Sequence, residues 1–186
     1  MRAYSQTTGL WLRGLLSDDH GVRPEDVHWI TFEGAHVLEY ADPPFVQRAP
    51  PGKELLKILR ERELDAVIVG NDVPDDPQLR TVFPDPAAAA EAFWAKHRFV
   101  PINHMIVVRR EIAVDRLDAI RELCRLFVAS KAASAPPPSA HDRAPMGREA
   151  VEPSVALALR FAGEQGLLPR SLRLAEVWEG CPQIGL

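Results

Sequence analysis

The chain has 186 residues, 46% hydrophobic and 26% charged, the balance of a globular protein rather than a disordered tail. A net charge of −4, from 22 cations against 26 acidic residues, supplies no broad surface for a polyanion, so no nucleic-acid partner is expected. The longest apolar runs, residues 66–70 and 105–108, are far too short to cross a bilayer, so no membrane partner is expected either.

The acidic excess is local: residues 1–105 hold 11 Lys+Arg and 16 Asp+Glu, whereas residues 106–186 hold 11 and 10. Eighteen of the 22 cations are Arg, which favours bidentate pairing with a carboxylate wherever one is buried. Cys124 and Cys181 cannot build a disulfide framework, and Cys124, in a helical pattern, reads as a small core hydrophobe. Arg13 interrupts the early apolar stretch 9–16 and no small-residue cleavage site follows, so the expected location is cytoplasmic.

Residues 2–6 are short and mixed and suit a strand. Thr7 and Thr8 then stand where an N-cap is needed, before Leu10, Trp11, Leu15 and Leu16 at helical spacing. Residues 18–21 end that helix. Pro24-Glu25-Asp26 reads as a turn or one helical turn, and residues 27–33 (VHWITFE) as a strand stopped by Gly34. Residues 42–52, with four prolines, read as a loop. Residues 53–63 are helical, and residues 66–69 suit a strand buried on both faces, with Gly70-Asn71-Asp72 at its carboxyl end.

Residues 79–83 suit another short strand and residues 86–97 an alanine-rich helix opened by proline. Residues 103–110 (NHMIVVRR) are the strongest strand pattern in the chain. Residues 115–134 form an amphipathic helix with Leu117, Ile120, Cys124, Phe127 and Val128 on one stripe. Residues 135–147, with three consecutive prolines, read as an exposed loop. Residues 149–165 are helical up to Gly166, and residues 175–179 make a last turn. Helices and strands alternate through the first 110 residues and only helices follow, which implies an α/β class with a mostly parallel sheet.

The sequence contains no G-x-G-x-x-G, Walker A, G-x-S-x-G, H-E-x-x-H or C-x-x-C motif. No two of the six histidines have the i, i+4 spacing of a metal pair, and no metal ligand is assigned. Three places can hold a small anion. Thr7 and Thr8 open a helix, whose free N–H groups and dipole attract a carboxylate, although most such threonines only cap. Asn71 follows a strand, where α/β sheets gather ligands, although Gly-Asn-Asp is also an ordinary turn. His104, after Pro101 and Asn103, opens an apolar strand; it reads either as a hydrogen-bonded core histidine or as a general acid facing a cleft.

Several stretches resemble 4,5-dihydroxyphthalate decarboxylase-like proteins. They are residues 2–16 (RAYSQTTGLWLRGLL), 62–68 (RELDAVI), 82–85 (VFPD), 99–104 (FVPINH), 107–110 (VVRR) and 164–170 (EQGLLPR), in order along the chain. The resemblance implies a type II periplasmic-binding-protein-like fold of two α/β lobes around a ligand cleft. Residues 2–105 would form one near-complete α/β lobe, and residues 106–186 the hinge-crossing strand and C-terminal helices of a second, truncated lobe. Helices 115–134 and 149–165 would then lack their usual sheet, so a homodimer, a domain swap or repacking of those helices is expected to cover them.

The same resemblance implies decarboxylation of a hydroxylated aromatic dicarboxylate, 4,5-dihydroxyphthalate giving protocatechuate and carbon dioxide. His104 is the candidate acid that protonates the ring carbon. Gln6, Thr7, Thr8, Arg13, Asn71 and Asn103 are the candidate ligands of a small aromatic or carboxylate substrate. Arg13, the candidate clamp, lies mid-helix and also reads as part of a solvated face. No cofactor is assigned. The alternative is a small-anion solute-binding protein of the ABC-transporter type without catalysis, and a degenerate product with no ligand is the blandest reading.

Overall fold

The computed structural model describes residues 1–37, 39–70, 73–134 and 141–181. Its contacts divide the chain into two compact units: Met1–Phe93 with Arg160–Arg170, and Trp94–Leu159 with Ser171–Leu186. The sequence reading placed its boundary at residue 105, without the return of residues 160–170 to the first unit.

The first unit is built on α1, Thr7–His20. The helix stops at Gly21, whose φ of 66° is left-handed backbone that glycine adopts without strain. Gly21 N–H bonds Ser17 O and Val22 N–H bonds Leu16 O, which satisfies carbonyls the helix end would otherwise leave bare. Pro24–Asp26 is a single 3-10 turn, as the sequence implies. β1, Trp29–Thr31, pairs in parallel with β2, Val46–Arg48, through Trp29↔Val46, Ile30↔Gln47 and Thr31↔Arg48. β2 lies inside the proline-rich stretch expected to be all loop.

Residues 2–6 are not a strand. They bond to the end of β1 irregularly, with Phe32 and Glu33 N–H donating to Arg2 O and the buried Met1 amine donating to Ile30 O over 2.9 Å. Burial lowers the pKa of that amine to about 6. α2 is Leu55–Arg60 and α3 is Pro86–His97, the latter with the expected bounds. At the centre of the first unit, Trp11 meets Phe93 and Phe161 edge to face, at centroid separations of 6.4 and 5.8 Å. A Cβ on Gly14 would lie 2.2 Å from the Phe161 ring, so only glycine admits that ring against α1.

The second unit holds the end of α3, α4 (Arg110–Asp115), α5 (Leu117–Ala133), most of α6 (Arg148–Glu164) and α7 (Leu174–Val177). Trp94 stacks on His141 at 4.0 Å. Lys131 bonds Asp142 and the Ala144 carbonyl, which ties the far end of α5 to the segment beyond it. Buried Ser154 accepts a hydrogen bond from Ile102 N–H over 3.1 Å. No residue of α5 is buried, and Cys124 is half-buried rather than a core residue. Part of the expected loop 135–147, residues 135–140, lies outside the described residues.

Three expected strands are absent: residues 66–69, 79–83 and 103–110 are irregular, and Arg110 already belongs to α4. The apolar composition is there but a ladder is not, and a strand needs a neighbour to satisfy its amides. Residues 66–69 are exposed or half-buried rather than enclosed on both faces. Among the described residues no helix is long and apolar enough to cross a membrane.

Candidate functional site

The sequence-predicted anion ligands of the first unit gather at the start of α1. The N-cap is Gln6 rather than Thr7 or Thr8, and it makes no side-chain capping bond. Gln6 turns back instead, its Oε1 meeting Ala3 N–H at 3.5 Å. Thr7 and Thr8 are the first two helical residues, half-buried and exposed respectively. First-turn amides have no carbonyl partner inside a helix, so this end retains donors.

Arg13 departs furthest from expectation. It is not on a solvated face: it is 1% exposed. A helical side chain leans toward the N-terminus, which carries its guanidinium back beside Gly9. A Cβ on Gly9 would come within 2.7 Å of Arg13 Nη1 and 2.4 Å of Met1 Cε, so glycine makes room for both. Arg13 Nε donates to Gln165 Oε1 (2.8 Å), Nη2 to Tyr4 O (2.7 Å) and Nη1 to Met1 Sδ (3.4 Å). The guanidinium also lies over the Tyr4 ring, 3.8 Å from its centroid. Among the described residues no carboxylate forms an ion pair with it.

This buried cation therefore rests on neutral acceptors and two ring faces, that of Tyr4 and, 5.5 Å from its centroid, that of Trp29. Burial pulls its pKa down to about 10, opposed by Tyr4, Tyr40 and Asp42 nearby. Three of its five N–H donors serve the protein, and at 1% exposure it meets a ligand carboxylate only if its covering residues move aside. Around it, the buried Tyr40 hydroxyl and Asp42 Oδ1 have no hydrogen-bond partner among the described residues. Burial, with Tyr4 and Asp42 beside it, pushes the Tyr40 phenol up to about 12.

Asn71 lies outside the described residues. The Gly70 before it lines an open depression of about 330 Å³, with Arg2, Glu54, Leu55, Leu56, Ile68 and Val69. Its wall is mostly aliphatic. Its Arg2 is exposed and already paired with Glu33 over 2.7 Å.

Asn103 and His104 belong to the second unit, both exposed on the irregular stretch that leads into α4. Among the described residues His104 makes no hydrogen bond or ion pair, so it is not the bonded core histidine that was one of its two readings. Its exposure leaves both ring nitrogens available to a ligand. No group of three or more His, Cys, Asp or Glu among the described residues could hold a metal ion.

Sequence reasoning missed Tyr4, Tyr40, Asp42 and Gln165. Gln165 alone carried a signal, since it sits immediately before the helix-ending Gly166.

No protein-family model matches the sequence. Two curated proteins do. A 4,5-dihydroxyphthalate decarboxylase of Comamonas testosteroni is 28% identical over 147 residues, covering 69% of this chain and 42% of that protein. A 4,5-dihydroxyphthalate decarboxylase of Pseudomonas putida is 30% identical over 105 residues, covering 49% of this chain and 40% of that protein. The chain is a distant relative of these decarboxylases. It spans about two fifths of their length.

Proposed function

We propose that the chain serves non-oxidative decarboxylation of a hydroxylated aromatic dicarboxylate, with 4,5-dihydroxyphthalate as the substrate to test. The observation that carries this reading is the similarity to two proteins bearing that name. A type II periplasmic-binding-protein-like architecture belongs to the same proposal. It is supported by the order of the resembling stretches from residue 2 to residue 170.

The chemistry asks for two things. A ring hydroxyl para to the departing carboxylate pushes electrons toward the ring carbon bearing it. An acid protonates that carbon, and carbon dioxide leaves as the ring regains aromaticity. In the second unit, His104 is the proposed acid, exposed with its imidazole open to a ligand. In the first unit, the first-turn amides of α1 with Thr7 and Thr8 are the proposed carboxylate donors, fixed before the substrate arrives. Arg13 supports that helix end from beneath rather than gripping the substrate.

A second reading is binding of the same class of anion without chemistry. It is favoured by the exposure of His104, because a proton donor in open water lacks the dry, fixed setting that catalysis uses. A proton NMR time course with 4,5-dihydroxyphthalate separates the two. Growth of protocatechuate resonances supports the decarboxylase. Ligand line broadening without product supports binding alone, and neither effect refutes both.

A further inference from the structure

We propose that residues 105–128 are the interface of a closed homodimer, in which residues 105–108 pair antiparallel with the same residues of a second copy. This inference is independent of the enzymatic reading.

Exposed apolar side chains are not scattered over the molecule. Among the described residues, ten of the fourteen large hydrophobic residues that stand exposed fall between residues 105 and 128, all within the second unit. Ile106 and Val107 are 77% and 87% exposed. Val114 follows on α4, and Leu123, Leu126 and Phe127 stand on one face of α5, at spacings of three and four. Soluble monomers seldom leave so much apolar surface together in water. The ten residues present on the order of 900 Å², against about 800 Å² per partner in an interface of standard size.

The backbone points the same way. Residues 105–108 have the composition of a strand, yet among the described residues their amides and carbonyls make no backbone hydrogen bond. Such an edge is a template for another strand. A two-fold axis through an antiparallel pair gives each copy the same donors and acceptors, so a second copy matches without any further design. Charge permits the approach as well. Residues 105–128 hold five Arg and four acidic residues, and Asp118–Arg121 and Glu122–Arg125 are already neutralised within α5. Two such faces do not repel.

Sedimentation velocity over a concentration series tests this under reducing conditions, because Cys124 and Cys181 are free thiols. The expected result is a discrete dimer for the native chain. Val107→Lys is expected to weaken association by about a hundredfold. Val107 is too exposed for that change to disturb the fold of one copy, and an unchanged circular dichroism spectrum verifies this. Hydrogen exchange supplies a second readout: alternate amides of residues 105–108 are protected in the native chain and unprotected in the variant. A native monomer overturns the proposal. So does open-ended growth, a Val107→Lys dimer of undiminished strength, or a dimer in which every amide of residues 105–108 exchanges freely.

Discussion

Gln165 Oε1 accepts from Arg13 Nε over 2.8 Å while Gln165 Nε2 donates to Leu10 O over 2.9 Å. One amide thus bridges a side chain and a carbonyl of α1 and holds the residues after α6 against that helix. The guanidinium adds a bond to Tyr4 O, so it joins the N-terminal segment and α1 to the residues after α6, 152 positions along the chain. Arg13→Ala leaves Gln165 Oε1 and Tyr4 O buried without donors. The expected loss is about 2–4 kcal/mol in urea unfolding. Arg13→Lys is expected to recover little of it, because one ammonium cannot reproduce a planar fork that meets Nε and Nη acceptors together. An Arg13→Lys variant of native stability with a raised KM would show instead that Arg13 holds substrate.

Two glycines of the first unit give opposite predictions. Gly14→Ala places a methyl 2.2 Å from the Phe161 ring and is expected to cost about 1–3 kcal/mol, more than alanine's helical preference returns. Gly163, in the last turn of α6, has nothing within 4 Å of the added carbon. Gly163→Ala is expected to gain about 0.5 kcal/mol by restricting the unfolded chain. Thermal melts of the pair check both signs at once.

The parts legible from sequence are those whose causes are local. α1, α3, α6 and the turn at Pro24 announce themselves through apolar spacing, an opening proline and the terminal glycines Gly21 and Gly166. Strands depend on a partner that periodicity does not name. Residues 103–110 have the strongest strand composition in the chain and no ladder, whereas Val46–Arg48 pair with β1 from inside a proline-rich loop. The buried cluster was illegible for a related reason. Arg13 looks like a polar interruption of an apolar helix. The hint lay in Gly9 and Gly14, which flank its face of α1 and mark where side chains crowd close to the backbone.

Tyr4 and Tyr40 are the only two tyrosines, so ultraviolet titration reads them without interference from others. Burial raises both phenols, Tyr40 to about 12. The native chain should therefore show less tyrosinate near pH 10 than the unfolded chain in urea, which is half ionised there, and Tyr40 should still be protonated. The sign for stability follows from that difference. Between pH 10 and 12 the unfolded state sheds Tyr40's proton while the native state keeps it, so stability falls as pH rises through this window and is intact below it. Tyr40→Phe should remove the later phase and flatten the decline. A Tyr40 that ionises near pH 10 in the folded chain would mean that the hydroxyl is solvated.

His104 gives the clearest separation of function from stability. It is exposed and makes no hydrogen bond or ion pair among the described residues, so His104→Ala should change unfolding free energy by no more than about 0.5 kcal/mol. If His104 delivers the proton to the ring carbon, the same variant loses turnover while retaining most of its affinity for 4,5-dihydroxyphthalate, because carboxylate recognition belongs to other residues. Thr8→Ala should do the reverse, weakening binding and leaving the rate at saturation close to native. Ligand titration by NMR, beside turnover of each variant, checks the split. Undiminished turnover in His104→Ala would move the acid elsewhere, and a loss of both binding and turnover would make His104 a ligand-holding residue.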